Sequence, residues 1–89
     1  MKKYIPEQIK IAKKLNLPLK SISISNQKNK KYVVELENGK KINYGSYGME
    51  DYLIHRDNER RKKFHTRFKS NKGYNNMNIG LFWSSRLLW

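Results

Sequence analysis

The sequence predicts a small α+β domain: a three-stranded antiparallel meander with an N-terminal helix, a basic helix and a short C-terminal helix. Three observations lead there. Between residues 20 and 46 apolar side chains recur with period two, broken by Asn26-Gln27-Lys28-Asn29 and by Glu37-Asn38-Gly39. On either side of that stretch they recur at helical spacing instead. The length of 89 residues fits one domain, divided into a helix and connector (1–19), a meander (20–46), a basic helix (55–69) and an aromatic helix (79–89).

The first helix is expected over residues 5–16. Pro6 suits the first turn, Glu7 favours the positive end of the dipole, and Ile9, Ala12 and Leu15 mark the inner stripe. Asn16-Leu17-Pro18 ends it, because the residue before a proline is pushed out of the helical region. Lys20 to Ser25 alternates as a half-buried strand. Tyr32, Val34 and Leu36 face one side of a second strand, Ile42 and Tyr44 one side of a third. A two-residue Asn-Gly turn would send these two sets to opposite faces. A three-residue loop with Gly39 left-handed pairs Tyr32 with Tyr44 and Val34 with Ile42, so a type I turn with a glycine bulge is expected.

Met49 to Ile54 are read as a helical turn, and the strongest helix as running from residue 55 or 57 to residue 69. Asp57 and Glu59 stand at its start and Lys62, Lys63, Arg67 and Lys69 toward its end, matching the macrodipole. Leu53, Phe64 and Phe68 form the stripe that ties it to the tail and sheet. Asn78 is the expected cap of a last helix over residues 79–89. Tyr32, Tyr44 and Trp83 are assigned to the core, and Trp89 fits either the core or an interface.

The charge of +13 is the main functional signal, because self-repulsion at this density is relieved by a polyanion. It would neutralise about 22 Å of duplex DNA, or roughly six to seven base pairs. Between residues 56 and 72 eight cations meet two carboxylates. Arg56, Arg60, Arg61, Lys62, Lys63, Arg67 and Lys69 are the leading phosphate-binding candidates. Lys30, Lys31, Lys40 and Lys41, on the loops flanking the hairpin, form a second group, and the lysines of the first helix a third. Contact with about six to eight phosphates would give a log–log salt slope near −5 to −7.

Other classes fare worse. The absence of cysteine removes disulfides and thiolate zinc sites. No apolar run reaches the roughly 18–20 residues that cross a bilayer and the start lacks a secretory h-region, so a soluble protein acting inside a cell or particle, with no membrane partner, is expected. His55, Asp57 and Glu59 do not share a helical face, which argues against a metal nuclease. No enzyme activity and no cofactor are expected.

The ordered string Lys31-Tyr32-Val33-Val34, Glu37-Asn38-Gly39-Lys40-Lys41-Ile42, Tyr44-Gly45, Asp51-Tyr52, Ile54-His55, Asp57, Arg60-Arg61, Phe64, Arg67, Phe82-Trp83-Ser84 and Leu87-Leu88-Trp89 resembles a family of small basic proteins of large nucleocytoplasmic DNA viruses, mimivirus-like giants included. The resemblance covers about residues 20–89. It implies a DNA-associated protein of the virion or viral factory that compacts the genome without a histone-like fold. The reading is therefore sequence-independent binding and condensation of double-stranded DNA, with self-association on DNA a further expectation. An RNA-binding module of a transcription or translation assembly is the alternative, followed by a structural protein that binds acidic viral partners.

Overall fold

A computed structural model describes residues 2–89, and it is a two-layer α+β domain. After a 3-10 turn at Lys2–Tyr4 come helix α1 (Ile5–Lys14) and strands β1 (Leu19–Ile24), β2 (Lys30–Leu36) and β3 (Lys41–Ser46). Helices α2 (Tyr52–His55), α3 (Asn58–Phe68) and α4 (Gly80–Leu87) follow, with a 3-10 turn at Lys72–Asn75 between the last two.

The strands form one antiparallel sheet in the order β1-β2-β3. Register parity decides the hairpin as expected: Tyr32 lies opposite Tyr44 and Val34 opposite Ile42. Gly39 has φ +87°, its N–H donates to Leu36 O, and Leu36 N–H donates to Lys40 O, closing the three-residue loop. Only this register puts Ile22, Tyr32, Val34, Leu36, Ile42 and Tyr44 together on the buried face.

Helices α1 and α4 cover that face. The α1 stripe is centred on Gln8 and Ala12, both buried, with Ile5 and Ile9 packed beside them. Leu15, expected on this stripe, is exposed, because the helix ends two residues early, at Lys14: Asn16 adopts φ 56°, Asn16 N–H bonds Lys13 O and Leu17 N–H bonds Ala12 O. A left-handed asparagine closing two orphan carbonyls, rather than Pro18 alone, stops α1.

Helix α4 lies along β3 and covers that edge of the sheet. Ser84 Oγ accepts from Gly45 N–H at 3.0 Å, and Gly80 sits so close that a Cβ there would lie 2.6 Å from Asn43 O. An uncovered edge strand would offer its backbone to other chains, and this contact removes that opening. Trp83, Leu87 and Leu88 complete the core, with Trp83 Nε1–H donating to Met77 O at 2.8 Å. Asn78 is not the cap of α4: Ile79 holds the capping position without a side-chain bond, and Asn78 Oδ1 accepts instead from Lys40 Nζ.

Two departures concern the basic helix. It begins at Asn58 with Asp57 as cap, since Arg56 takes a left-handed conformation (φ 54°) that ends α2 and separates His55 and Arg56 from α3. It also contributes no buried residue, so it does not pack into the sheet as the sequence suggested. A helix this cationic would lose too much hydration inside a core.

Gln8 is polar yet fully buried because it is satisfied there: its Oε1 accepts from Tyr44 Oη at 2.6 Å and its Nε2 donates to Tyr4 O at 3.3 Å. Burial, helped by the Asp51 charge, pushes the Tyr32 phenol up to about 12. Burial raises Tyr44 further. Unfolded tyrosine ionises near 10, so above that pH the unfolded chain loses protons that the native one retains. The stability held by these two phenols is complete below pH 10 and falls as pH rises, by up to about 1.4 kcal/mol per unit for each. Denaturant melts between pH 9 and 11 should show this loss, Tyr32 and Tyr44 ionising chiefly on unfolding, and Tyr44→Phe should flatten the slope.

Candidate nucleic-acid interface

Helix α3 starts where Asp57 Oδ1 accepts from Glu59 N–H at 2.9 Å and Arg60 N–H at 3.3 Å. Glu59 in its first turn and Arg67 in its last agree with the helix dipole. Aromatic contacts hold it to the body. The Phe64 ring stacks on Trp89 at 4.5 Å with an interplanar angle of 3°, Phe68 leans on Phe64 at 4.8 Å, and α2 contributes His55, 5.2 Å from Trp89. Arg61 Nε donates to Trp89 O at 2.6 Å while its guanidinium lies over Tyr52 at 4.6 Å, and His65 meets the Tyr74 hydroxyl at 2.7 Å. Trp89, which the sequence left between core and interface, is thus the ring that joins α2 and α3 to the tail of α4.

With Phe64 and Phe68 turned inward, the helical period distributes the cations. At about 100° per residue, positions 60, 63 and 67 fall on one flank, 61 and 65 on the other, and 62 and 69 outward. The first flank overlooks a cleft of about 590 Å³ between α3 and the α4–β3 edge. Phe64, Phe68, Leu81, Leu88 and Trp89 give it an apolar floor. Lys30, Arg60, Lys63 and Arg67 line its rim, and Glu50 approaches Arg60 at 3.8 Å. Both members of that ion pair are exposed, so it holds Arg60 only weakly.

The structure therefore brings Lys30, Arg60, Lys63 and Arg67 together and separates the other candidates. Lys31 is no phosphate ligand. It is 4% exposed, and its Nζ donates to Asp51 Oδ2 at 2.8 Å and to Met49 O, closing the segment 45–51 over β2. Asp51 Oδ1 is buried without a hydrogen-bond partner. Arg56, exposed but engaged, donates to Glu7 Oε1 at 2.7 Å and to Leu53 O at 3.1 Å, pinning the α2–α3 corner to α1. That hydrogen bond holds the Glu7 carboxyl below its ordinary value and raises the Arg56 guanidinium.

Arg61 faces Trp89, and Lys62 and Lys69 point away from the cleft. Lys40 and Lys41 lie at the turn end of the hairpin, with Lys41 opposite Glu35, whereas Lys30 pairs with Ser46 at the other end. The length of β2 puts roughly 20 Å between them, so the four hairpin lysines are not one group. Lys10, Lys13 and Lys14 are exposed on α1 as expected.

Sequence reasoning missed the cleft, the Lys31–Asp51 pair and the buried Gln8. The cleft forms between segments with no shared periodicity, so no local signal marks it. Of the six tyrosines, Tyr47 is the exposed one, at 63%. Among the described residues no group of three His, Asp or Glu side chains is placed to hold a metal ion, and no helix is long and apolar enough to cross a membrane.

Residues 20–68, more than half of the 89-residue chain, match a family of unknown function, DUF5754, and the chain belongs to that family. All four rim cations lie inside the matched segment, whereas Leu81, Leu88 and Trp89 of the floor lie outside it. No curated protein and no solved structure matches the chain.

Three substitutions test these assignments. Lys31→Met strands the Asp51 carboxylate in the interior and should cost about 3–5 kcal/mol in denaturant melts, most of it recovered by adding Asp51→Leu. Trp89→Ala should raise amide exchange throughout α3 while the sheet amides stay protected, because a short cation-rich helix is marginal without its anchor.

Proposed function

We propose that this member of the family binds nucleic acid through backbone phosphates, without reading sequence, and that duplex DNA is among its ligands. The observation that carries this reading is the convergence of Lys30, Arg60, Lys63 and Arg67 on one cleft mouth, where they outnumber the two carboxylates of the lining, Glu50 beside Arg60 and Asp51 neutralised by Lys31. Along α3 the axial steps from 60 to 63 and from 63 to 67 are about 4.5 and 6 Å. Such a ladder suits a run of phosphates on one strand, and arginine adds a bidentate fork. Phosphate contacts fix position and carry no base information. Asn58, the one amide side chain on α3, accepts from Tyr52 Oη and sits in the first turn, so the helix displays no amide row for base edges.

A second cationic surface supports packing over reading. Lys10, Lys13 and Lys14 on α1 are exposed and occupy a different helix from the rim, so one molecule has the means to touch two duplex segments. Condensing a viral genome is the role that the resemblance implies for such a grip.

Contacts by the four rim cations would give a log–log salt slope near −4 on duplex DNA, shallower than the charge of the whole chain suggests. Arg60→Ala, Lys63→Ala and Arg67→Ala should each reduce its magnitude by about one, and Lys40→Ala should leave it unchanged. Fluorescence anisotropy across a salt series measures this, and a slope near zero for the unaltered protein would sink the proposal.

A further inference from the structure

We infer that the cleft between α3 and α4 receives the base of an unpaired nucleotide, so that the protein grips single-stranded nucleic acid more tightly than duplex of equal charge. The inference rests on phosphate binding by the rim and adds a site for the base.

Phosphate alone needs no apolar floor, and an apolar ligand alone needs no cationic rim. Here Phe68, Leu81 and Leu88 lie below Lys30, Arg60, Lys63 and Arg67 in one cleft, so the fitting ligand joins an apolar face to several negative charges. The rim cations on α3 extend along about 10 Å of helix axis. An amphiphile with a single headgroup would leave most of them unused, whereas successive phosphates of a strand would engage them in turn. The volume of about 590 Å³ is that of a small-ligand site. An acidic protein segment would call for a longer groove, of the area a standard interface buries.

The mouth supports the same choice. Tyr47, 63% exposed, and Met49, 62% exposed, line a second depression that shares Lys31, Met49 and Glu50 with the cleft. An exposed ring beside the opening is where the neighbouring base of the strand would stack. Base–aromatic stacking contributes roughly 5- to 150-fold in affinity per base. A duplex delivers a base only after unpairing it, which removes much of that gain.

The test uses the full chain with three probes of matched charge: a short oligothymidylate, a duplex, and inorganic polyphosphate, which has the charge without the base. Oligothymidylate should bind at least about tenfold more tightly than the duplex and quench the fluorescence contributed by Trp89, an effect lost in Trp89→Phe. Polyphosphate should bind without quenching. Tyr47→Ala, which alters an exposed side chain, and Leu81→Tyr, which fills the floor, should bring single-strand affinity down to the duplex value while leaving duplex and polyphosphate affinities unchanged. Equal binding of single strand and duplex, unmoved by both variants, would overturn the base site and leave the phosphate grip standing. No binding to any probe at low salt would overturn both. Quenching by polyphosphate, or binding of polyglutamate that matches oligothymidylate and shares its sensitivity to Tyr47→Ala, would equally exclude a base as the occupant.

Discussion

The stacking of Phe64 on Trp89 is the contact through which a helix that no core would accept becomes part of the fold. Between Asn58 and Phe68 the sequence Asn-Glu-Arg-Arg-Lys-Lys-Phe-His-Thr-Arg-Phe offers few groups that gain by leaving water. Cations at i and i+4, such as Lys63 and Arg67, oppose helix formation further. One aromatic edge resolves the conflict: Phe64 and Phe68 face the body, and the arginines and lysines stay hydrated. The same contact fixes the helix about its own axis. Had Phe64 stood one position earlier, a rotation of about 100° would have turned Arg60, Lys63 and Arg67 away from the cleft.

Trp89 can serve as that anchor only because α4 is itself fixed. The register of the hairpin places Tyr32, Val34, Ile42 and Tyr44 on one face, and Trp83, Leu87 and Leu88 pack onto it. Gly80 and Ser84 then seat α4 against the edge of β3, which directs the next residues toward α3. Lys31 and Asp51 work from the other side, closing the segment 45–51 that carries Tyr47, Met49 and Glu50 to the cleft mouth. The rim thus depends on contacts spread over the whole chain, although none of its cations is buried.

What was legible in the sequence is what short-range periodicity encodes. Parity chose the turn at Gly39, and the acidic-to-basic gradient that starts at Asp57 and Glu59 located α3 within a few residues. Helix period named Phe64 and Phe68 as its inner side. The errors concern charged groups whose partners are remote. Lys31 and Asp51 lie 20 residues apart, Arg56 and Glu7 lie 49 apart, and nothing local distinguishes these cations from Arg60 or Lys63. A basic residue read as surface charge was therefore counted toward binding when it serves as a joint. The cleft was equally hidden, since it exists only once α3 and α4 are placed.

The carboxylates explain how a chain of +13 remains compact. Of seven, Glu7 pins the α2–α3 corner, Glu35 meets Lys20 across two strands, Asp51 neutralises Lys31 inside, Asp57 caps α3, and Glu50 reaches Arg60. Five of the seven carboxylates thus serve as joints or caps, and of these Glu50 and the Lys31-paired Asp51 line the cleft. At the rim, as on the exposed lysine face of α1, cations outnumber carboxylates, so electrostatic repulsion remains in the free protein. A polyanion bound there would screen Lys63 from Arg67 and Arg60 from Lys30, so its binding energy includes repulsion removed from the native state. By linkage a ligand bound there would also stabilise the docked position of α3, which contributes no buried residue of its own. Weak anchoring and high charge would then act together: the aromatic contacts align the cations of the helix, and a polyanion held by those cations would add to its hold.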